Sequence, residues 1–119
     1  MNQTVSVGIA GYGYWGPNLA RNFDGSPGAK VGAICDPSPE RLEHAYINQP
    51  SAARFEDFAS MLRHPDLDAV VVATPVGTHH TLAKAALLAG KHVLVEKPMA
   101  LTLADCDAMI EACDRAGVH

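Results

Sequence analysis

The feature that most constrains the fold is a glycine-rich turn between an apolar strand and a helix. The strand predicted over Val5–Ala10 runs directly into Gly11-Tyr12-Gly13-Tyr14-Trp15-Gly16. In such a turn Gly11 permits the tight bend, Gly13 leaves room for a phosphate, and Gly16 lets helix and strand pack closely. Free N–H groups at the start of the following helix would face the negative charge. The turn therefore predicts a pyrophosphate site.

Strands and helices alternate along the rest of the chain. Further strands are predicted over residues 30–35, 53–55, 69–74 and 92–96, and helices over residues 17–23, 39–46, 78–88 and 102–116. A short helix with Phe58, Met61 and Leu62 on one face is predicted to end before Pro65. Residues 69–74 are almost continuously apolar, which is typical of a central parallel strand buried on both faces. The pattern predicts an α/β fold for residues 1–119, with a doubly wound, mostly parallel sheet that follows the strand order 3-2-1-4-5-6 but lacks the sixth strand.

Two helices have apolar stripes that predict which faces are buried. Thr78 and Thr102 are the predicted N-caps of these helices. The predicted buried residues are Leu82, Ala83, Ala86 and Leu87 in the first helix, and Leu103, Cys106, Ile110 and Cys113 in the second.

Composition and charge exclude several classes of protein. The net charge is −4, which argues against non-specific binding to nucleic acid. No apolar run approaches the roughly 20 residues that a membrane-spanning helix needs. The first four residues carry no basic region and no signal core, so we expect a cytoplasmic protein without a membrane partner.

The cysteines and histidines do not form a recognisable framework. The three cysteines are Cys35, Cys106 and Cys113, and their wide spacing predicts buried thiols without disulfide bonds. The six histidines lack the spacings of common zinc motifs, so no metal site is predicted.

An acidic residue strengthens the interpretation of the glycine turn. Asp36 lies at the end of the second predicted strand, where a carboxylate can bind the ribose hydroxyls of a dinucleotide and repel a 2′-phosphate. This favours NAD over NADP. The alternative role for Asp36 is that of a turn former before Pro37. Arg41 could reach the same pocket, although arginines on helices are more often solvated.

Two segments follow the fourth and fifth predicted strands, where this fold places its ligands. The first is Thr74-Pro75-Val76-Gly77-Thr78-His79-His80 and the second is Glu96-Lys97-Pro98. Lys97 is the best candidate for chemistry, because an ammonium group can polarise a substrate hydroxyl and move its proton. The alternative is an ordinary surface pair of Glu96 and Lys97. The two histidines are more typical of structural or solvated positions.

Together these motifs resemble the N-terminal half of the glucose–fructose oxidoreductase / inositol dehydrogenase / MocA family. The resemblance implies a Rossmann domain and NAD(P)-dependent oxidation of a sugar or cyclitol hydroxyl. The Tyr-Trp-Gly form of the turn is similar to members that act on nucleotide sugars, so a sugar or nucleotide sugar is the implied substrate. Val76 departs from the asparagine that many members carry there.

The resemblance also implies roles for individual residues. The backbone N–H groups of Tyr14 and Trp15 would lie at the pyrophosphate of the cofactor. On the nicotinamide side, the resemblance implies roles for Thr74, Pro75, His79, Glu96 and Lys97, with Lys97 as the catalytic lysine and Glu96 beside the nicotinamide ribose. All five would therefore contact or flank the cofactor.

Family members continue into a sixth strand and a second α/β domain that carries a catalytic Asp and His. Without these parts, we expect the chain to bind cofactor weakly and to be inactive alone. Its fifth strand would be an exposed edge, which predicts a homo-oligomer. The alternatives are a non-catalytic module that binds or senses a dinucleotide, and a deliberately shortened domain.

Overall fold

The computed structural model describes residues 3–119 as a five-stranded sheet with helices on both faces. The strands are β1 (Val5–Ala10), β2 (Ala29–Cys35), β3 (Ala53–Phe55), β4 (Ala69–Val72) and β5 (His92–Val95). The helices are α1 (Gly16–Asp24), α2 (Pro39–Asn48), α3 (Phe58–Leu62), α4 (His79–Leu88) and α5 (Leu103–Ala116). One turn of 3₁₀ helix over Val76–Thr78 leads into α4.

All four strand pairings are parallel, and the strand order is β3-β2-β1-β4-β5. The predicted α/β fold is confirmed, as is the position of the fifth strand at one edge of the described sheet. Because every strand points the same way, all carboxyl ends meet at one rim. The chain reverses its winding direction between β1 and β4, and this is where the fold forms a crevice.

Apolar side chains fill both faces of the sheet. On one face, Ile9, Ile34 and Val71 pack with residues of α1 and α2. On the other, Val70 and Val72 pack with residues of α3, α4 and α5. The continuous apolar run in β4 is thus buried on both sides, as the sequence predicts.

The predicted buried face of α5 is partly wrong. Met109 and Ala112 are its buried residues, whereas Leu103 and Ile110 are 84% and 52% exposed. The seven-residue spacing from Leu103 to Ile110 describes a stripe of the helix, but α5 turns a neighbouring stripe towards α4. The expectation of three buried thiols is corrected with it, because only Cys35 is buried and Cys106 and Cys113 are half-buried.

The prediction that Thr78 caps α4 is also corrected by the structure. Thr78 precedes the helix, but its side chain does not cap the backbone of α4. Its hydroxyl instead donates to the carbonyl oxygen of Pro75 at 2.6 Å, because the 3₁₀ turn brings that oxygen closer. Thr102 does cap α5, with its side-chain oxygen accepting from the backbone N–H of Asp105.

Candidate dinucleotide-binding site

Two close backbone contacts form the glycine turn. Gly11 has a φ of +94°, and a Cβ atom there would lie 2.6 Å from the carbonyl oxygen of Ala73. A Cβ atom on Gly16 would overlap the carbonyl oxygen of Gly11. The turn therefore needs glycine at both positions, and it brings the start of α1 against the carboxyl end of β1.

The start of α1 is left open to an external anion. Trp15 occupies the N-cap position and makes no side-chain hydrogen bond to the helix, and the first turn of α1 contains no acidic residue. Pro17 follows as a residue without an N–H group. An uncapped helix N-terminus carries partial positive charge and unsatisfied donors, which is the chemistry that binds a phosphate.

Asp36 fastens the turn to the end of β2. Its carboxylate is 1% exposed; one oxygen accepts from the backbone N–H of Tyr12 at 2.9 Å and the other from that of Ser38 at 2.8 Å. The second bond is the turn-forming role that the sequence left as an alternative. Asp36 thus has a structural role whichever ligand the site takes.

The side chains of Tyr12 and Arg41 complete this half of the site. Tyr12 is buried, and its hydroxyl accepts from the Asn48 side chain at 3.1 Å, so the turn is also anchored on α2. Arg41 places a guanidinium nitrogen 3.7 Å from Asp36 and covers Gly13, where an added Cβ would lie 3.3 Å from its guanidinium.

A cavity of about 690 Å³ opens at the carboxyl rim beside this turn. Seven of the predicted site residues line it, namely Gly11, Gly13, Tyr14, Trp15, Asp36, Thr74 and Pro75. Four others do not, namely Gly16, His79, Glu96 and Lys97. The cavity therefore joins the pyrophosphate turn to the first of the two predicted loops but stops short of the second.

Several residues that line the cavity are not among those predicted from the sequence. They include Cys35 before Asp36, and Glu56, Asp57 and Phe58 after β3. The signal for the last three was available, because β3 was predicted and the carboxyl ends of parallel strands share one rim. Asp57 accepts hydrogen bonds from the backbone and hydroxyl of Ser60, and these bonds lower the pKa of its carboxyl.

The loop after β4 is closed by hydroxyl groups. Thr74 and Thr78 share a hydrogen bond of 2.6 Å between their side chains. His79 begins α4, and its ring is 2% exposed. Its nitrogens face the carbonyl oxygens of Thr74 and Pro98, each at 2.8 Å. The ring thus lies between the two loops and does not line the cavity.

The loop after β5 holds Lys97 at the surface of the same rim. The Glu96 carboxylate accepts from the backbone N–H of Lys97 at 3.3 Å, so it steadies the Lys97 backbone. The Lys97 side chain is exposed. Within residues 3–119 no cluster of metal-ligating side chains occurs, and no helix is long and apolar enough to cross a membrane.

Cys35 is a protonated thiol in the cavity wall. Burial raises its pKa to about 11, and the nearby charges of Asp36 and Asp57 act in the same direction. A thiol of this kind is a weak nucleophile at neutral pH.

Comparison with known proteins decides the family. The family model described as "Oxidoreductase family, NAD-binding Rossmann fold", of the GFO/IDH/MocA group, matches residues 5–119. This chain belongs to that family. The resemblance inferred from the motifs is thereby confirmed, as is the assignment of an NAD-binding Rossmann domain.

Individual relatives match nearly all of this chain but only about a third of their own length. D-apiose dehydrogenase of Paraburkholderia graminis is 38% identical over 92% of this chain and 29% of its own length. The WlbA dehydrogenase from Bordetella pertussis, solved with NADH and UDP-GlcNAcA, has a TM-score of 0.91 at 36% identity, covering 98% of this chain and 36% of that one.

Scyllo-inositol dehydrogenase from Lactobacillus casei was solved with NAD(H) and scyllo-inositol. It has a TM-score of 0.88 at 32% identity, and the match covers 97% of this chain and 34% of that one. The chain therefore spans about a third of the length of the relatives it matches, and it is related to sugar and cyclitol dehydrogenases.

The residues present fit the family's cofactor. The three atoms nearest to a Cβ placed on Gly13 all belong to the exposed Arg41 guanidinium, and the open start of α1 supplies donors beside it. Pyrophosphate needs N–H donors, ribose hydroxyls need acceptors, and an aromatic ring needs an apolar wall. The cavity lining offers the first at the glycine turn, the second at Asp36 and the third at Pro75.

Substitution by alanine should affect the stability of the chain differently at Gly13 and at Gly16. Gly16→Ala forces the helix away from the Gly11 carbonyl, so we expect the free energy of unfolding to fall by about 2 kcal/mol or more. In Gly13→Ala the new methyl group meets a movable side chain, so we expect a loss within about 1 kcal/mol. Urea denaturation of both variants measures this. Equal losses would contradict the packing role given to Gly16.

The Cys35 thiol predicts a loss of stability in alkali. The folded chain keeps the proton up to a pKa of about 11, whereas the ordinary value is 9.0. The folded state then binds more protons between these values, so its stability is complete below pH 9 and falls as the pH rises through 11.

Cys35→Ala removes this titration. From pH 8 to 11 its free energy of unfolding should fall less than that of the unmodified chain, by about 1–2 kcal/mol. Urea denaturation at each pH provides the measurement, and Cys106→Ala is the control. A parallel fall in Cys35→Ala and the unmodified chain would show that Cys35 does not contribute.

Proposed function

We propose that this chain is the cofactor-binding part of an enzyme that transfers hydride between NAD and a hydroxyl-bearing carbon of a sugar, cyclitol or nucleotide sugar. The observation that carries the proposal is the cavity at the carboxyl rim. It connects an uncapped helix start, a buried acid after β2 and the Thr74-Pro75 loop. The substrates named for the dehydrogenases it resembles supply the substrate class.

The glycine turn would bind the pyrophosphate. Tyr14 and Trp15 present the backbone of the turn to the cavity, and their rings are exposed and packed edge to face at 5.2 Å. Gly11 and Gly16 shape the turn, because a Cβ atom at either position would meet the backbone of another residue. This division of roles explains why Gly16 belongs to the site without lining the cavity.

The adenosine end would lie near Asp36 and Arg41. Each oxygen of the Asp36 carboxylate has a second lone pair beyond its bond to backbone, and these can accept from ribose hydroxyls. Glu56 and Asp57 add two further carboxyl groups to the cavity lining against the one guanidinium of Arg41. This balance of charge disfavours a 2′-phosphate, so we propose NAD over NADP.

The nicotinamide end would lie at Thr74 and Pro75, with Lys97 beyond them on the next loop. Bound NAD supplies a ring that accepts or releases hydride. In carbonyl reduction the Lys97 ammonium would donate a hydrogen bond and then its proton to the substrate oxygen, and in the reverse direction the neutral Lys97 amine would take the proton of the substrate hydroxyl. Glu96 steadies the Lys97 backbone. Lys97 is exposed, so its function requires that the substrate side be covered in the active protein.

We further propose that the protein works in the cytoplasm as a homo-oligomer, with no nucleic-acid or membrane partner. The three cysteines are unpaired thiols, which suits a reducing compartment. The net charge of −4 disfavours nucleic acid. β5 lies at the sheet edge, where Leu94 is 51% exposed beside an apolar cavity of about 360 Å³.

Calorimetric titration with NAD and NADP in parallel tests the cofactor. We expect NAD to bind at least about tenfold more tightly, because a buried carboxylate repels the additional phosphate. Asp36→Asn should weaken NAD binding and narrow the difference in affinity between NAD and NADP. Asp107→Asn, on the exposed side of α5, should change neither the affinity for NAD nor that difference. Tighter binding of NADP would overturn the preference, and binding of neither would overturn the proposed function.

Sedimentation equilibrium tests self-association through β5. The unmodified chain should associate reversibly, and Leu94→Lys should shift it towards monomer because a charge at the edge disfavours pairing. Ile47→Lys is a matched control, since Ile47 is 68% exposed on α2, which packs against β2 and β3 on the side of the sheet away from β5. A clean monomer at high concentration in the unmodified chain would contradict the proposal.

A further inference from the structure

His79 is a buried polar side chain to which the proposed chemistry gives no task. Its Nδ1 lies 2.8 Å from the carbonyl oxygen of Pro98, and its Nε2 lies 2.8 Å from that of Thr74. Thr74 belongs to the loop after β4 and Pro98 to the loop after β5. One imidazole ring therefore spans the gap between the two loops that carry the nicotinamide-side residues.

The chemistry of these contacts makes them a clamp rather than a ligand site. Carbonyl oxygens only accept, so a ring nitrogen bonds to its carbonyl only where it carries a proton; a neutral imidazole donates to one of the two carbonyls, and both bonds form together only when both ring nitrogens are protonated. The ring is 2% exposed, and a buried polar group that loses its partner is costly. Both nitrogens are thus directed at the protein backbone, and neither is directed at the cavity.

Apart from the backbone hydrogen bond from the Glu96 N–H to the carbonyl oxygen of Val72 at the end of β4, the side-chain contacts of each loop stay on its own side. Thr74 and Pro75 are fastened to Thr78 through hydroxyl groups, all on the β4 side. The recorded side-chain contact of Glu96 is with the neighbouring Lys97 backbone on the β5 side. The His79 ring joins the two sides, so it sets the position of the Lys97-Pro98 segment relative to Thr74.

We propose that His79 is a positioning residue that holds the Lys97 loop in register with the Thr74-Pro75 loop. The proposal rests on the proposed function for the nature of the ligand. It replaces the direct cofactor contact that the family resemblance implies for His79 with an indirect role. It also limits the effect of His79 to the nicotinamide half, because Asp36 fastens the adenosine half independently.

Titrations followed by NMR with NADH and with ADP-ribose test this limit, since ADP-ribose lacks the nicotinamide. In His79→Leu the Kd for NADH should rise about tenfold, the scale of a lost buried hydrogen bond, while that for ADP-ribose stays within about twofold. His79→Gln keeps one donor and should recover part of the loss. His80→Gln, on the same helix turn, is the matched control and should leave both values unchanged.

Equal weakening of both ligands would show a general structural role and overturn the proposal, as would unchanged NADH binding in His79→Leu. If the unmodified chain binds neither ligand, the proposed function fails and the clamp is judged by amide hydrogen exchange. Exchange at the Glu96 and Lys97 amides, which donate to the Val72 carbonyl and to the Glu96 carboxylate, should then be at least about tenfold faster in His79→Leu than in His80→Gln. Equal exchange rates would overturn the clamp.

If His79→Leu does not fold, the unmodified chain still provides a test. A ring N–H held by a buried carbonyl exchanges slowly with water and gives an observable proton signal. At least one such signal from His79 is expected. Rapid exchange of both ring protons would overturn the proposal.

Discussion

The structure depends on the contact between Gly16 and the carbonyl oxygen of Gly11, where no side-chain atom fits. This contact places the start of α1 on the end of β1 and leaves its N–H groups facing the crevice. The same turn needs glycine at position 11 for two reasons: its φ is positive, and a Cβ atom there would meet the carbonyl oxygen of Ala73. The same close backbone contacts therefore hold the end of β1 beside the segment after β4 and shape the proposed phosphate site.

Asp36 shows how a proposed ligand residue can also be a structural one. Its two backbone hydrogen bonds hold Tyr12 of the turn and Ser38 before α2, and burial makes both bonds strong. A carboxylate at this point is stabilised by fixed donors before any ribose arrives. A ligand that adds further donors meets an acceptor already oriented, so little reorganisation accompanies binding.

The sequence predicts the parts of this molecule that rest on local constraints. The glycine turn, the alternation of strands and helices, and the apolar run in β4 each follow from spacing, and the strand order follows from the fold they predict. The face of α5 could not be predicted in the same way, because two apolar stripes compete on it and only packing against α4 selects Met109 and Ala112. Glu56 to Phe58 were missed although their position after β3 was a usable signal.

His79 was beyond sequence reasoning for a different reason. Its partners are backbone carbonyls 5 and 19 residues away. Every residue has a backbone carbonyl, so the sequence does not indicate which of them a side chain will contact. The crevice is consequently held by two fasteners of opposite chemistry, an acceptor at Asp36 that binds N–H groups and a donor ring at His79 that binds carbonyls. Each fixes one half of the crevice, and the backbone from Ala10 to Gly16 lies between them. A dinucleotide that spans both halves would bind less tightly after a shift in either half. A ligand confined to one half would be affected only by a shift in that half.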